Sequence, residues 1–363
     1  MQPLIITTIG DGAMATVCSE VLAGKSSGGQ PVEVRVWGRD AGRLAVMDAA
    51  RENARYLPGV KLSDGVRFIG DDEAAFAGAQ LILCAVPTQY IRASLSRVRE
   101  HIPAGVPVVT VAKGIETSTL RRPSEIIEEL LGEAGERPAV AALSGPCIAG
   151  ELARRLPATV VVATNGMRAN IPAKVGGVER GRQPAAPEEF ARWIQEIFTT
   201  PYLRVYRNQD LVGVELAGAL KNVIAIAAGI LDGMRAGNNA KAALLTRGLV
   251  EITRLGVALG AQAETFAGLA GMGDLVTTCV SPEGRNRSFG ERIGRGEKPA
   301  DVLASLVGVV EGMPTCESVV RIARAKGIDM PISESLYGVL FEGRDPPSQL
   351  ADLMARELKS ESE

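Results

Sequence analysis

One lysine and one pair of glycines carry most of the chemistry that this sequence offers. Lys221 lies in GVELAGALKNVIAIAAG, residues 213–229, a stretch apolar on nearly every face of a helix and therefore expected to be buried. Its helical neighbours three and four residues away are Ala217, Gly218, Ile224 and Ala225, none of which can pair with an ammonium. Burial without a partner lowers the pKa of a lysine and turns it into a proton donor and acceptor near neutrality. A lysine snorkelling at a domain rim accounts for the same pattern. Near the start, Gly10-Asp11-Gly12-Ala13-Met14-Ala15 follows a short apolar run and opens a helical pattern. This matches G-x-G-x-x-A, in which Gly10 permits a tight turn and Gly12 lets backbone approach a pyrophosphate. The N–H groups at the start of that helix, from Ala13 and Met14 onward, would face the anion.

A dinucleotide site that prefers NAD carries an acid at the end of its second strand, to hold the ribose 2′-hydroxyl. Here that strand ends in Trp37-Gly38-Arg39, with no acid before Asp40. Arg39 suits a 2′-phosphate or an adenine face, which favours NADP over NAD; a plain surface arginine fits the same position. Other chemistries are excluded by what is scarce. The single histidine, His101, lies in a polar segment ahead of Pro103 and reads as a solvated turn residue, so a histidine base is not expected. Cys18, Cys84, Cys147, Cys279 and Cys316 are odd in number, widely spaced and without a CxxC pair, which argues against disulfides and against a metal site.

The elements that must position these residues alternate in the first half. Apolar runs at Leu4–Ile9, Val32–Trp37, Gln80–Val86 and Val108–Val111 alternate with helical patterns at Ala13–Leu22, Ala41–Asn53, Tyr90–Val98 and Ile126–Leu131. Further strands are expected at Ala139–Leu143, Ala158–Ala163 and Leu203–Arg207, with a helix at Glu188–Phe198. This predicts an α/β fold: a Rossmann-type, doubly wound parallel sheet over residues 1–209. Within it, residues 165–187 are rich in Gly, Pro and basic charge and read as a solvated loop insertion. From residue 210 to 358 the pattern is helical only, an all-helical second domain, and residues 359–363 read as a frayed tail.

The chain of 363 residues exceeds the size at which one core stops growing, in keeping with two domains. Hydrophobic residues make up 46% and aromatics only 4%, so small aliphatic side chains must fill the core. Forty basic and 42 acidic residues are mixed along the chain, leaving no footprint for nucleic acid. The longest strongly apolar run, Val223 to Leu231, falls short of a membrane span, and the first residues lack the basic and apolar regions of a signal peptide. The expected setting is the cytoplasm, with a small-molecule partner; a homodimer is left open.

Four segments taken together, ELAGALKNVIAIAAGILDGM, GNNAKAALLTRGL, ETFAGLAGMGDLVTTC and GRNRSFG, resemble the bacterial NAD(P)-dependent glycerol-3-phosphate dehydrogenase family. VPTQ at 86–89, AKGIE at 112–116, LSGP at 143–146 and VVEGM at 309–313 extend the resemblance over nearly the whole chain. It implies reversible hydride transfer between NAD or NADP and dihydroxyacetone phosphate, giving sn-glycerol 3-phosphate for glycerophospholipid synthesis. It also implies that Lys221 is the proton donor and acceptor, that Lys113 contacts substrate and cofactor, and that Asp274 belongs to the active site. Arg285 and Asn286 align with phosphate-binding positions, which a guanidinium fork and an amide suit; Arg285 also adjoins the cofactor. Gly145 and Ala149 fall on loops near substrate and cofactor, and Val309 and Glu311 on a segment near the nicotinamide.

The sequence departs from the family pattern at several of these points. Met14 stands for an aromatic, Ala15 for the third glycine, Cys147 for a serine or threonine, and Gly284 for a serine ahead of the Arg285–Asn286 pair. Cys147 and Gly284 therefore remain expected substrate neighbours without the hydroxyl. Two other readings of the same residues are a Rossmann-plus-helical dehydrogenase of a 3-hydroxy acid and a non-catalytic NAD(P)-binding sensor.

Overall fold

A computed structural model describes residues 3–27, 30–132, 137–171, 174–175, 178–179, 184–358 and 360. The strands are β1 (Leu4–Ile9), β2 (Ser26–Ser27), β3 (Gln30–Trp37), β4 (Val66–Phe68), β5 (Leu81–Cys84), β6 (Val108–Thr110), β7 (Val140–Ser144), β8 (Ala158–Thr164), β9 (Lys174–Val175), β10 (Val178–Glu179) and β11 (Leu203–Asn208). The main sheet runs β11-β8-β7-β6-β5-β1-β3-β2, with β4 also paired to β3. Buried on both faces, β1 can afford threonines only because each finds a partner. Thr7 Oγ1 donates to Ala75 O at 2.7 Å, and the hydroxyls of Thr8 and Ser19 lie 2.9 Å apart.

The sheet is mixed rather than wholly parallel. β7 and β8 pair antiparallel, with Ala142 opposite Ala163, and the short β2 pairs antiparallel with β3. The link from β7 to β8 holds only the five-residue helix Ala149–Ala153. β11 regains the parallel direction against β8 by way of the helix Pro187–Phe198.

Residues 165–187 are not simply a solvated loop. β9 and β10 pair antiparallel inside the segment, and at its base Ala169 and Ala185 exchange backbone hydrogen bonds of 3.0 and 2.7 Å. Both alanines are fully buried, so the base of the insertion belongs to the core. Most of the expected tail at 359–363 lies outside the described residues.

After Asn208 every described element is helical. Asp210 starts the long helix Leu211–Gly233 by accepting from Gly213 N, and its other oxygen accepts from Gln262 N and Thr265 Oγ1, each at 2.8 Å. This helix is long and apolar enough to cross a membrane, but 94% of its apolar window is buried inside the fold. Helices Asn238–Ala258, Asp274–Val280, Arg285–Gly294 and Gly312–Lys326 pack around it. Against Arg285–Gly294 the approach is backbone to backbone: a Cβ on Gly229 would lie 2.0 Å from Arg287 O, and one on Gly290 would lie 2.0 Å from Ile226 O. Glycine at these positions thus fixes the distance between the Lys221 helix and the helix that begins with Arg285.

Candidate active site

Gly10, Lys113 and Gly145 all follow the C-terminal ends of sheet strands, β1, β6 and β7 respectively. β1 lies between β3 and β5, where the strand order reverses direction, the place at which open α/β sheets bind ligands. Gly10 has φ +117°, and a Cβ there would lie 2.9 Å from Ala85 O, so the turn tolerates only glycine. Gly12 precedes the helix Ala13–Leu22 with no side chain capping it, and a Cβ added there would meet nothing within 4 Å. The turn therefore leaves open space beside uncapped helix N–H groups, and Ala13 and Met14 are half-buried at its edge. That cradle fits a dinucleotide pyrophosphate.

At the end of β3 Arg39 is exposed, with its guanidinium carbon 5.5 Å from the centre of the Tyr90 ring. Both nearby acids already have partners. Asp40 caps the next helix by accepting from Arg43 N at 2.9 Å, and Asp11 is paired with the Arg43 guanidinium.

The two lysines meet at one carboxylate. Lys113 Nζ donates to Asp274 Oδ2 at 2.6 Å and to Gly145 O at 3.1 Å, and it lies 3.9 Å from Cys147 Sγ. Lys221 Nζ lies 3.1 Å from Asp274 Oδ1 and donates to Thr278 Oγ1, which itself donates to Asp274 Oδ1 at 3.3 Å. The expectation of an unpaired Lys221 is thus corrected. Its own helix offers no partner, as read from the sequence, but the helix Asp274–Val280 supplies two. A snorkelling lysine is also excluded, because Lys221 is only 5% exposed.

The two ammonium groups are nevertheless unlike. Burial pushes the Lys221 pKa below its ordinary value of 10.5; Asp274 opposes this and the Lys113 charge reinforces it. For Lys113 burial acts in the same direction, but it is outweighed by Asp274, Cys147 and Glu311, and the pKa rises. Lys113 is therefore a fixed positive charge, and Lys221 is the group able to release a proton. The Asp274 carboxyl, although buried, is held below its ordinary range by the two lysines.

The remaining expected residues surround this cluster with differing availability. Asn286 Nδ2 donates to Asn222 Oδ1 at 3.0 Å, and Asn286 Oδ1 accepts from Gly312 N at 2.9 Å, which leaves one amide hydrogen uncommitted. Arg285 is exposed and opens its helix directly after Gly284; a Cβ on Gly308 would lie 2.9 Å from one of its terminal nitrogens. Val309 is half-buried, and the carboxyl of Glu311 meets the backbone N–H of Thr88. Burial pushes the Glu311 pKa up, with Arg285 opposing. Ala149 begins the short helix behind Cys147. Cys147 is half-buried and the other four cysteines are buried; all five are free. Burial raises the Cys147 thiol pKa, with the Lys113 charge opposing. Thr278 and Asn222 were missed from the sequence. Thr278 stands one helical turn after Asp274, a spacing that signals contact once Asp274 is suspected.

Comparison with known proteins adds two family-model matches. The NAD-dependent glycerol-3-phosphate dehydrogenase N-terminus model matches residues 5–170, and its C-terminus counterpart matches residues 210–351. Among curated relatives, a glycerol-3-phosphate dehydrogenase [NAD(P)+] of Geobacter sp. (strain M21) is 43% identical over 356 residues, 98% of each chain. One from Geobacillus thermodenitrificans is 44% identical over 357 residues, 98% of this chain and 96% of the relative. A crystal structure of glycerol-3-phosphate dehydrogenase from Coxiella burnetii superposes with a TM-score of 0.86 at 32% identity, covering 98% of this chain and 99% of the other.

Proposed function

Because this chain belongs to the NAD-dependent glycerol-3-phosphate dehydrogenase family, we propose that its Lys113–Asp274–Lys221 cluster is where dihydroxyacetone phosphate and sn-glycerol 3-phosphate are interconverted. The enzyme is an oxidoreductase that uses NAD or NADP. When bound, the nicotinamide cofactor supplies or accepts the hydride at C2 of the substrate. Gly10, Gly12, Ala13 and Met14 would hold its pyrophosphate, and Ala149, Val309 and Glu311 would line its nicotinamide side. Arg39 would meet its adenosine end, and the lack of an acid between Trp37 and Asp40 supports NADP as the preferred form.

In the reducing direction Lys221 delivers a proton to the oxygen on C2, and in the oxidising direction it removes that proton. Its depressed pKa suits both roles. Lys113, permanently charged, stabilises the negative charge developing on the same oxygen. Asp274 holds both ammonium groups in one place, and Thr278 fixes the second side of Lys221. Arg285 grips the substrate phosphate with the uncommitted Asn286 hydrogen beside it, while Gly145, Cys147 and Gly284 border the pocket.

The observation that carries this reading is the meeting of both lysines on Asp274. We further propose a division into cofactor and substrate domains at 209/210, a homodimer, a cytoplasmic setting and a product destined for glycerophospholipid synthesis. The deciding assay supplies purified protein with dihydroxyacetone phosphate and either NADPH or NADH. Turnover of this substrate supports the reading. Turnover of a 3-hydroxy acid instead, or tight cofactor binding without any hydride transfer, would replace it with one of the two other readings.

A further inference from the structure

The Lys113 loop and the Lys221 helix are joined a second time, away from the reacting groups. Glu215 stands six residues before Lys221 on the same helix, about 9 Å along the axis. Its side chain is fully enclosed, with 4% of the residue exposed. One carboxylate oxygen accepts from Ser124 N at 2.8 Å; the other accepts from Ser124 Oγ at 2.6 Å and from the Arg122 guanidinium. Arg122 ends the segment that runs from Lys113, after β6, to the helix Pro123–Leu131, and Ser124 lies in the first turn of that helix. At the other end of that segment, Asn222 Nδ2 lies 3.4 Å from Lys113 O. The helix bearing Lys221 thus grips the Lys113 loop at both ends.

The rest of the loop is held from both halves of the molecule. Gln89 Nε2 donates to Ile115 O at 2.7 Å and its oxygen accepts from Thr117 N at 3.0 Å, while Ser318 Oγ donates to Ile115 O at 3.2 Å. Among these contacts Glu215 is the one that ties the loop directly to the Lys221 helix through a buried charge. A carboxylate taken out of water needs all its partners, and here it has three, so the attachment has one geometry rather than many.

We propose that Glu215 is a positioning residue: by fixing the far end of the Lys113 loop to the Lys221 helix, it sets where the Lys113 ammonium stands relative to Lys221 and Asp274. This rests on the reading that the two lysines act together on one substrate oxygen. A loop released at Arg122 and Ser124 lets Lys113 drift, and a displacement of about 1 Å in a positioned group costs on the order of a hundredfold in rate. It also moves the Lys113 charge away from Lys221, whose pKa then rises towards the ordinary lysine value.

The test uses the full chain with dihydroxyacetone phosphate and NADPH, and compares the parent with Glu215→Gln, Ser124→Ala and Lys221→Met. For Glu215→Gln the expected result is a kcat lower by about ten- to a hundredfold and an alkaline limb of the kcat profile displaced to higher pH. Ser124→Ala should show a smaller loss with the same displacement, and it decides the matter if Glu215→Gln does not fold. A folded Glu215→Gln, or failing that Ser124→Ala, with parental kcat and an unmoved alkaline limb would show that Glu215 only stabilises the fold. If Lys221→Met turned over normally, the lysine-pair reading would fail and this proposal with it. An inactive Lys221→Met beside a fully active Glu215→Gln would sink this proposal alone.

Discussion

Lys221 Nζ lies 3.1 Å from Asp274 Oδ1, a contact between two buried residues on different helices. The same carboxylate receives Lys113 at 2.6 Å, so one negative charge serves two positive ones in a water-poor site. Burial, reinforced by the Lys113 charge and opposed by Asp274, keeps Lys221 easier to deprotonate than a free lysine while Lys113 stays charged.

Removing the shared charge should therefore expose the imbalance directly. Asp274→Asn leaves two buried ammonium groups without a counter-charge, and a loss of about 3–5 kcal/mol in stability at neutral pH is expected. In the variant the lysines bind protons more weakly when folded than when unfolded. The stability deficit should therefore shrink as pH rises through the lowered folded pKa values towards 10.5. Denaturant titrations at several pH values measure this, and a deficit that is small or independent of pH would contradict the buried pairing.

Reduction of dihydroxyacetone phosphate requires Lys221 with its proton on. Because burial and Lys113 depress its pKa, kcat in this direction should fall on the alkaline side below the ordinary lysine value of 10.5. Oxidation of glycerol 3-phosphate should rise over the same interval. A kcat profile flat to pH 10.5 in both directions would remove Lys221 as the titrating group.

Much of this arrangement was legible in the sequence, and the exceptions have physical causes. β1 and the helix Ala13–Leu22 were placed to the residue because strand, glycine turn and helix are all local patterns. β4 and the helices Asp72–Phe76 and Pro299–Ser305 were missed, since three to seven residues carry too little periodicity to register. The antiparallel turn of β8 has no local signature, because direction is set by the pairing of distant strands. For the same reason the burial of Lys221 could be read from its helix but its partners could not. Asp274 and Thr278 reach it only after the π-helical turn Leu269–Gly273 and the packing of the next helix bring them there.

Arg285→Lys should raise the KM for dihydroxyacetone phosphate by about tenfold, equivalent to ~1.4 kcal/mol, and leave cofactor affinity nearly unchanged. Lysine preserves the charge but not the planar fork that grips two phosphate oxygens. Initial-rate kinetics with a parallel cofactor titration check this. An unchanged KM would place the phosphate elsewhere.

Arg39→Ala should weaken NADPH by about tenfold, a charge-assisted hydrogen bond's worth at ~1.5 kcal/mol, and weaken NADH much less. Fluorescence titrations of both cofactors provide the comparison. Equal losses would mean that Arg39 serves adenine, as its place over Tyr90 allows, rather than a 2′-phosphate.

The central claim is that Lys221 moves the proton, and Lys221→Met tests it most directly. Methionine keeps the unbranched stem among Ala217, Ile224 and Ala225, so the fold and the cofactor site should survive. Single-turnover oxidation of bound NADPH after mixing with dihydroxyacetone phosphate should slow by roughly two to four orders of magnitude, with normal melting and normal cofactor titration. A variant that melts and binds cofactor like the parent yet retains more than about a tenth of its single-turnover rate would contradict the account and leave Lys113 as the remaining candidate for the proton donor.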